Sequence, residues 1–73
     1  MGKRGGQFSN TIRALRFHAG EMTQQELADL VGITRQTVNA IEANKYSPSL
    51  EVAFEIALVF NVPLEQVFQY AKG

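Results

Sequence analysis

The stretch QELADLVGITRQTVNAIE, Gln25 to Glu42, places a glycine between two runs of helix-type apolar spacing. A chain able to form one long helix here puts its most flexible residue in the middle. It then follows the break with Arg, Gln, Thr and Asn instead of Lys and Glu. Two helices joined by a turn of three or four residues cross at roughly 90–120°, which requires a left-handed backbone at the break and a small residue where the axes approach. Gly32 and Ala28 meet those needs. On an ideal helix at about 100° per residue, Val38 and Ile41 point one way, while Arg35, Gln36, Asn39, Ala40 and Ala43 fill the opposite arc. A merely solvated helix face pairs Glu with Lys four residues apart. This one carries planar, forked groups that match base edges, Arg for guanine and Gln or Asn for adenine, with alanine where close approach is needed.

Upstream, Ser9 or Asn10 is expected to cap a first helix in which Ile12, Leu15 and Ala19 recur at helical spacing, and Gly20 ends it. TQQE, Thr23 to Glu26, reads as a capping box that starts the second helix, with the Thr23 hydroxyl accepting the Glu26 amide and the Glu26 carboxylate accepting the Thr23 amide. Leu27, Ala28 and Val31 then turn inward until Gly32. Thr34 caps the third helix, which buries Val38 and Ile41 and has Asn44 as its left-handed end. After the SPS turn, Ser49 caps a fourth helix running to Phe60, with Val52, Ala53, Ile56, Ala57 and Phe60 as its apolar stripe and Asn61 as its end. A short fifth helix from Pro63 to about Tyr70 sets Leu64, Val67 and Phe68 on one side. Phe54, Phe60 and Phe68 read as core. No segment alternates polar and apolar residues long enough for a strand, so the expected class is all-α with five helices.

Seventy-three residues make one domain, near the lower limit at which a hydrophobic core alone holds a fold. With no cysteine, neither disulfides nor thiolate-bound metal staple it. The Gly-rich start, MGKRGGQFSN, has two basic residues but no apolar segment behind them, and VAFEIALVF is short and interrupted by Glu55. A non-secreted, cytoplasmic protein with no membrane partner is therefore expected. Residues 1–9 read as a flexible arm and 10–70 as the folded domain. Seven basic and seven acidic residues cancel, but unevenly along the chain. Up to Tyr46, the basic Lys3, Arg4, Arg13, Arg16, Arg35 and Lys45 outnumber the acidic Glu21, Glu26, Asp29 and Glu42; beyond it, Glu51, Glu55 and Glu65 outnumber Lys72. His18 has no cysteine, second histidine or catalytic-looking carboxylate near it in sequence and reads as a surface or helix-end residue. Nothing supplies a nucleophile with a base, a metal cluster or a phosphate loop, so no catalytic residue, metal, cofactor or small-molecule ligand is expected, and an enzyme is the least favoured class.

The run TQQELADLVGITRQTVNAIEANKYSPSLEVAFEIALVFNVPLEQVF resembles the helix-turn-helix domain of the phage repressor and Cro type, the XRE family. The resemblance extends from about Asn10 to Phe68 and is carried by Ala28, the turn Gly32 and the apolar positions Leu27, Val31, Ile33, Val38 and Ile41. One extra residue in HAGEMT and a chain less basic than many relatives are departures. The resemblance implies a compact five-helix, lambda-repressor-like domain with the helix-turn-helix at its second and third helices. It also implies a sequence-specific regulator of transcription, a repressor, that inserts the helix over residues 34–43 into the major groove of double-stranded DNA.

Carried onto this chain, the resemblance assigns Arg35, Gln36, Asn39 and Ala40 to base edges, Ala40 through a thymine methyl. It assigns phosphate contacts to Gln24 at the start of the second helix, where helix N-termini favour anions, to Thr34 and Thr37, and to Asn44, Lys45 and Tyr46 in the following loop. Arg16 and Glu42 match a family ion pair expected to fix the angle of the recognition helix. Arg13 is equally well explained as a solvated charge and is left out of the site. Val62, Leu64, Val67, Phe68 and Tyr70 crowd the carboxyl end, and with Phe60 they are expected to form a two-fold homodimer on a pseudo-palindromic operator; closure of the core by Leu64 and Phe68 is the competing reading. Phe17 lies opposite Ile12 and Leu15, either as a singly exposed aromatic or, preferably, as a seat for Phe8. The alternative function is an antitoxin or restriction-modification controller that binds a protein partner as well as DNA.

Overall fold

The three middle helices of this chain start where a hydroxyl accepts a backbone N–H and stop where the backbone turns left-handed. The computed structural model describes residues 6–72. Their order is β1 (Gly6–Asn10), α1 (Ile12–His18), α2 (Gln24–Val31), α3 (Arg35–Glu42), α4 (Leu50–Phe60), α5 (Leu64–Val67) and β2 (Phe68–Lys72). Thr23 opens α2 with both halves of the capping box, its amide donating to Glu26 Oε1 at 2.8 Å and its hydroxyl accepting the Glu26 amide at 3.0 Å. Thr34 and Ser49 open α3 and α4 by accepting from the Thr37 and Val52 amides. Gly32 at φ 86°, Asn44 at φ 60° and Asn61 at φ 56° follow the last turns of α2, α3 and α4. In α3 the closure is reciprocal: the Asn44 amide returns to the Ile41 carbonyl at 3.0 Å and the Lys45 amide to Ala40 at 2.9 Å, which satisfies acceptors the helix leaves open.

These caps fix helix lengths, and the apolar stripes then fix the packing. Ile12, Leu27, Ala28, Val38, Ile41, Ile56, Ala57 and Val67 form one buried cluster, ringed by half-buried side chains that include Leu15, Val31, Ile33, Phe60 and Leu64. Helix α2 packs against both α3 and α4, and α4 against α5, so α4 supports the α2–α3 pair and carries the fifth helix. Among the described residues no helix is long and apolar enough to cross a membrane.

The carboxyl end departs from the all-α expectation. The fifth helix stops at Val67, because Phe68 takes an extended backbone (φ −121°, ψ 134°), and Phe68–Lys72 pairs antiparallel with Gly6–Asn10. The partner of each strand lies at the opposite end of the chain, and five residues are too few for alternation to declare itself. Phe and Tyr favour extended backbone once such a partner is available. Residues 6–9 of the expected arm are therefore sheet; residues 1–5 lie outside the described part. The first helix also starts differently. Thr11 holds its cap position, with its hydroxyl bonded to the Gln66 carbonyl and its amide to the Val67 carbonyl at 2.9 Å. Phe8 faces Tyr70 across the ribbon, with ring centroids 4.8 Å apart, and not Phe17, which stays 65% exposed beside His18. Phe54, read as core, is 49% exposed: it falls between the inward Ala53 and Ile56 on the outer side of α4.

Candidate nucleic-acid interface

The turn between α2 and α3 is built on one carbonyl. Ala28 O accepts the Gly32 amide at 2.8 Å and the Ile33 amide at 3.0 Å, while the Ala28 side chain is wholly buried with Val38 and Ile41. At Gly32 an added Cβ would meet no heavy atom within 4 Å, so its glycine requirement comes from the positive φ and not from crowding.

With Val38 and Ile41 turned into the core, α3 shows the opposite side to solvent: Arg35, Gln36 and Asn39 are exposed, and Thr37 and Ala40 half-buried. Tyr46 leans toward this face. It lines a shallow, mainly apolar hollow with Gln36, Thr37 and Ala40. Thr34 and Thr37 share a hydroxyl–hydroxyl contact of 2.9 Å at the start of the helix.

The far end of α3 is tied to α1. Arg16 Nε donates to Glu42 Oε2 at 2.6 Å and its Nη2 to Oε1 at 3.0 Å, while Nη1 donates to the Met22 carbonyl at 2.7 Å. The pair is nearly enclosed, with side-chain exposures of 14% and 10%. A bidentate guanidinium–carboxylate contact fixes direction as well as distance, so α3 cannot roll relative to α1 without breaking it. Gln24 extends the network: its Nε2 donates to Glu42 Oε1 at 3.3 Å and its Oε1 accepts from Asn39 Nδ2 at 3.4 Å. The Gln24 amide is thus engaged inside the protein, linking α2 to a residue of the exposed face.

Asn44, Lys45 and Tyr46 form the exposed loop beyond α3. The side chain of Asn44 is held by a residue that sequence reasoning assigned to a different task. Asn10 Nδ2 donates to Asn44 Oδ1 at 3.0 Å and to the Ile41 carbonyl at 3.0 Å, with the Glu42 carbonyl at 3.4 Å. Its Oδ1 accepts the Ile12 amide at 3.1 Å. An Asn ahead of a helix signals a local cap, and only that last bond is of the local kind.

The six residues expected at a dimer face do not share one environment. Val67 is fully buried in the core and cannot meet a second chain, since it lies on the inner side of a one-turn helix. Phe60, Val62, Leu64 and Phe68 are half-buried and pack on the core cluster, and only Tyr70, at 57%, is fully on the surface. Three other large apolar side chains, Leu50, Phe54 and Leu58, are exposed at four-residue spacing along α4. A groove lined by Phe8, Leu50, Leu64 and Phe68, among others, joins that stripe to the ribbon.

Comparison with known proteins agrees with this geometry. A family model described as helix-turn-helix matches residues 12–67, from the start of α1 to the end of α5. The chain is 51% identical over 49 residues to an uncharacterised HTH-type transcriptional regulator of Methanocaldococcus jannaschii, covering 67% of this chain and 74% of that protein. It is 44% identical over 59 residues to the uncharacterised HTH-type transcriptional regulator YgzD of Bacillus subtilis, covering 81% of this chain and 88% of that protein. It is 33% identical over 60 residues to the cryptic phage CTXphi transcriptional repressor RstR of Vibrio cholerae, of which the match spans 53%. With the match running through every helix that builds the turn and its supports, the chain belongs to the XRE family of phage-repressor-type helix-turn-helix transcriptional regulators.

Proposed function

We propose that this protein represses transcription by binding a specific double-stranded DNA site with α3 in the major groove. The observation that carries the proposal is the rigid presentation of Arg35, Gln36 and Asn39 on a helix whose angle is set by Gly32 at one end and the Arg16–Glu42 pair at the other. Arg35 reads guanine, and Gln36 and Asn39 read adenine. The hollow between Ala40 and Tyr46 is apolar enough to accept a thymine methyl. Thr34, Thr37, Asn44, Lys45 and Tyr46 bind the phosphate backbone on either side. Gln24 contributes through the amino end of α2, because its side chain is shared between Glu42 and Asn39.

Arg35 and Lys45 are the only cations of α3 and its following loop. One module with so few charges binds DNA weakly, so a two-fold homodimer on a near-palindrome is the form that acts. Its contact surface is the outer stripe of α4 continued through Leu64 and Phe68 to Tyr70, which supersedes the set that included Val67. The two copies of α3 then lie about 34–36 Å apart, one turn of B-DNA. Selection of bound sites from randomised duplex DNA tests the whole reading: half-sites one turn apart, rich in adenine and guanine, are the expected product, and an unenriched pool would refute sequence-specific binding. Sedimentation at micromolar concentration tests the dimer.

A further inference from the structure

We infer that Asn10, at the end of β1, is a positioning residue for DNA binding: it orients the Asn44 amide so that its NH2 group faces the phosphate backbone. The inference rests on the proposed backbone grip of the loop after α3.

Four contacts carry it. The Asn10 amide places one N–H on the Ile41 carbonyl and the other on Asn44 Oδ1, both at 3.0 Å, with the Glu42 carbonyl close by at 3.4 Å. All three partners are acceptors, so this nitrogen is used only as a donor. On its other side, Asn10 Oδ1 accepts the Ile12 amide at 3.1 Å, which fixes the orientation of the Asn10 amide itself from the first residue of α1. One amide thereby ties β1, α1 and the end of α3 together across about thirty residues of sequence.

The consequence for Asn44 follows from the shape of a carboxamide. Its oxygen and nitrogen diverge from the same carbon. With Oδ1 turned toward Asn10, Nδ2 and its two hydrogens face away. The backbone of Asn44 is fixed as well, at φ 60° with its amide on Ile41, and the Lys45 amide is used on Ala40. The backbone amides of Asn44 and Lys45 are therefore occupied, and a phosphate oxygen, which only accepts, would meet the Asn44 side chain at this residue. Without Asn10 the Asn44 amide turns freely, and holding its NH2 on a phosphate then costs the rotational freedom that Asn10 had already removed.

The test is a double-mutant cycle at fixed salt, with affinity measured for one selected site and one unrelated duplex and Asn10→Ala, Asn44→Ala and the double variant set beside the unaltered protein. Asn44→Ala is expected to weaken both duplexes alike by about tenfold, the loss of one hydrogen bond to a charged acceptor, with the slope of log K against log salt unchanged because a neutral amide displaces no counterion. Asn10→Ala should weaken both duplexes alike by a smaller factor and cost nothing further in the Asn44→Ala background. If Asn10→Ala leaves affinity intact, or costs the same with and without the Asn44 side chain, Asn10 serves the fold alone and the inference is overturned. Unchanged affinity for Asn44→Ala overturns it too, by removing the grip on which it rests. Failure of the unaltered protein to bind any duplex would instead refute the proposed function. Should the Asn10 variants not fold, NMR of the Asn44 side-chain NH2 in the unaltered protein decides: a single set of signals that shifts on adding the unrelated duplex supports the inference, and exchanging signals indifferent to DNA overturn it.

Discussion

The α2–turn–α3 unit and the terminal ribbon both depend on hydrogen bonds at the ends of their elements, but the bonding distances along the chain differ by more than tenfold. In the first, Thr23 bonds Glu26 and Thr34 bonds Thr37, three residues on. In the second, Thr11 bonds Val67 and Ser9 faces Gln69, 56 and 60 residues away. The first is also backed by fully buried side chains, Leu27, Ala28, Val38 and Ile41, whereas Phe8 and Tyr70 of the ribbon are more than half exposed. A unit closed by local bonds and supported by a core can hold a recognition surface at a set angle. A ribbon closed by distant bonds and little burial acts as a strap joining the two ends of the chain.

If that contrast is right, the largest loss comes from the ion pair that joins α1 to the reading unit. Arg16→Ala leaves the Glu42 carboxylate with little solvent and without its bidentate partner, and is expected to destabilise the protein by ~3 kcal/mol, read as a lower urea midpoint. A change below about 1 kcal/mol, the range of a surface pair, would mean that α3 is held mainly by its apolar face.

The reading surface itself comes next, with losses in binding and not in stability. Gln36→Ala is expected to weaken the selected site by about 1–3 kcal/mol and relax preference at one base pair. Lys45→Ala should weaken every duplex alike and lower the salt slope by about one. Identical behaviour of the two variants across sequences would abolish the division between base reader and backbone grip.

The turn tests local geometry more narrowly. Gly32 has φ 86° and open space around it, so Gly32→Val costs ~1–2 kcal/mol through backbone strain alone, measured by thermal or urea unfolding. A loss of several kcal/mol would point to a collision that the open surroundings do not contain.

These positions also mark what the sequence made legible. Thr23, Gly32, Thr34, Asn44, Ser49 and Asn61 could be read because capping and left-handed termination involve residues a few places apart. Val38 and Ile41 could be read from period alone. The strand over Phe68–Lys72 could not, since its partner is Gly6–Asn10 and no local pattern encodes that pairing. Val67 reads as surface for the same reason: a fifth helix continued to Tyr70 would expose part of its stripe, whereas one that stops at Val67 turns that side chain inward. Phe54 reads as core by hydrophobicity, although its phase along α4 puts it beside Leu50 and Leu58. In Asn10 the residue type was informative and the distance misleading, because an amide that seems made for a local cap also reaches α3.

The smallest effect is expected in the ribbon, and it is the one that most directly tests the contrast. Tyr70 lies opposite Phe8 in register, their rings tilted by 56°, with most of both side chains in water. Removing one ring from an exposed cross-strand pair costs about 0.5–1 kcal/mol at most. A two-stranded ribbon is marginal by itself, yet this one is anchored at its inner end by the bond from the Thr11 amide to the Val67 carbonyl, which Tyr70→Ala does not touch. The variant should therefore fray from the outer end. Amide hydrogen exchange should speed up in β1 and β2 while the amides of α2 and α3 keep their protection, since the strands open without the core opening. Equal acceleration in the ribbon and in α3 would show that the two regions unfold together. The strap would then be part of the unit that holds the recognition helix, and the distinction drawn from bond length and burial would fail.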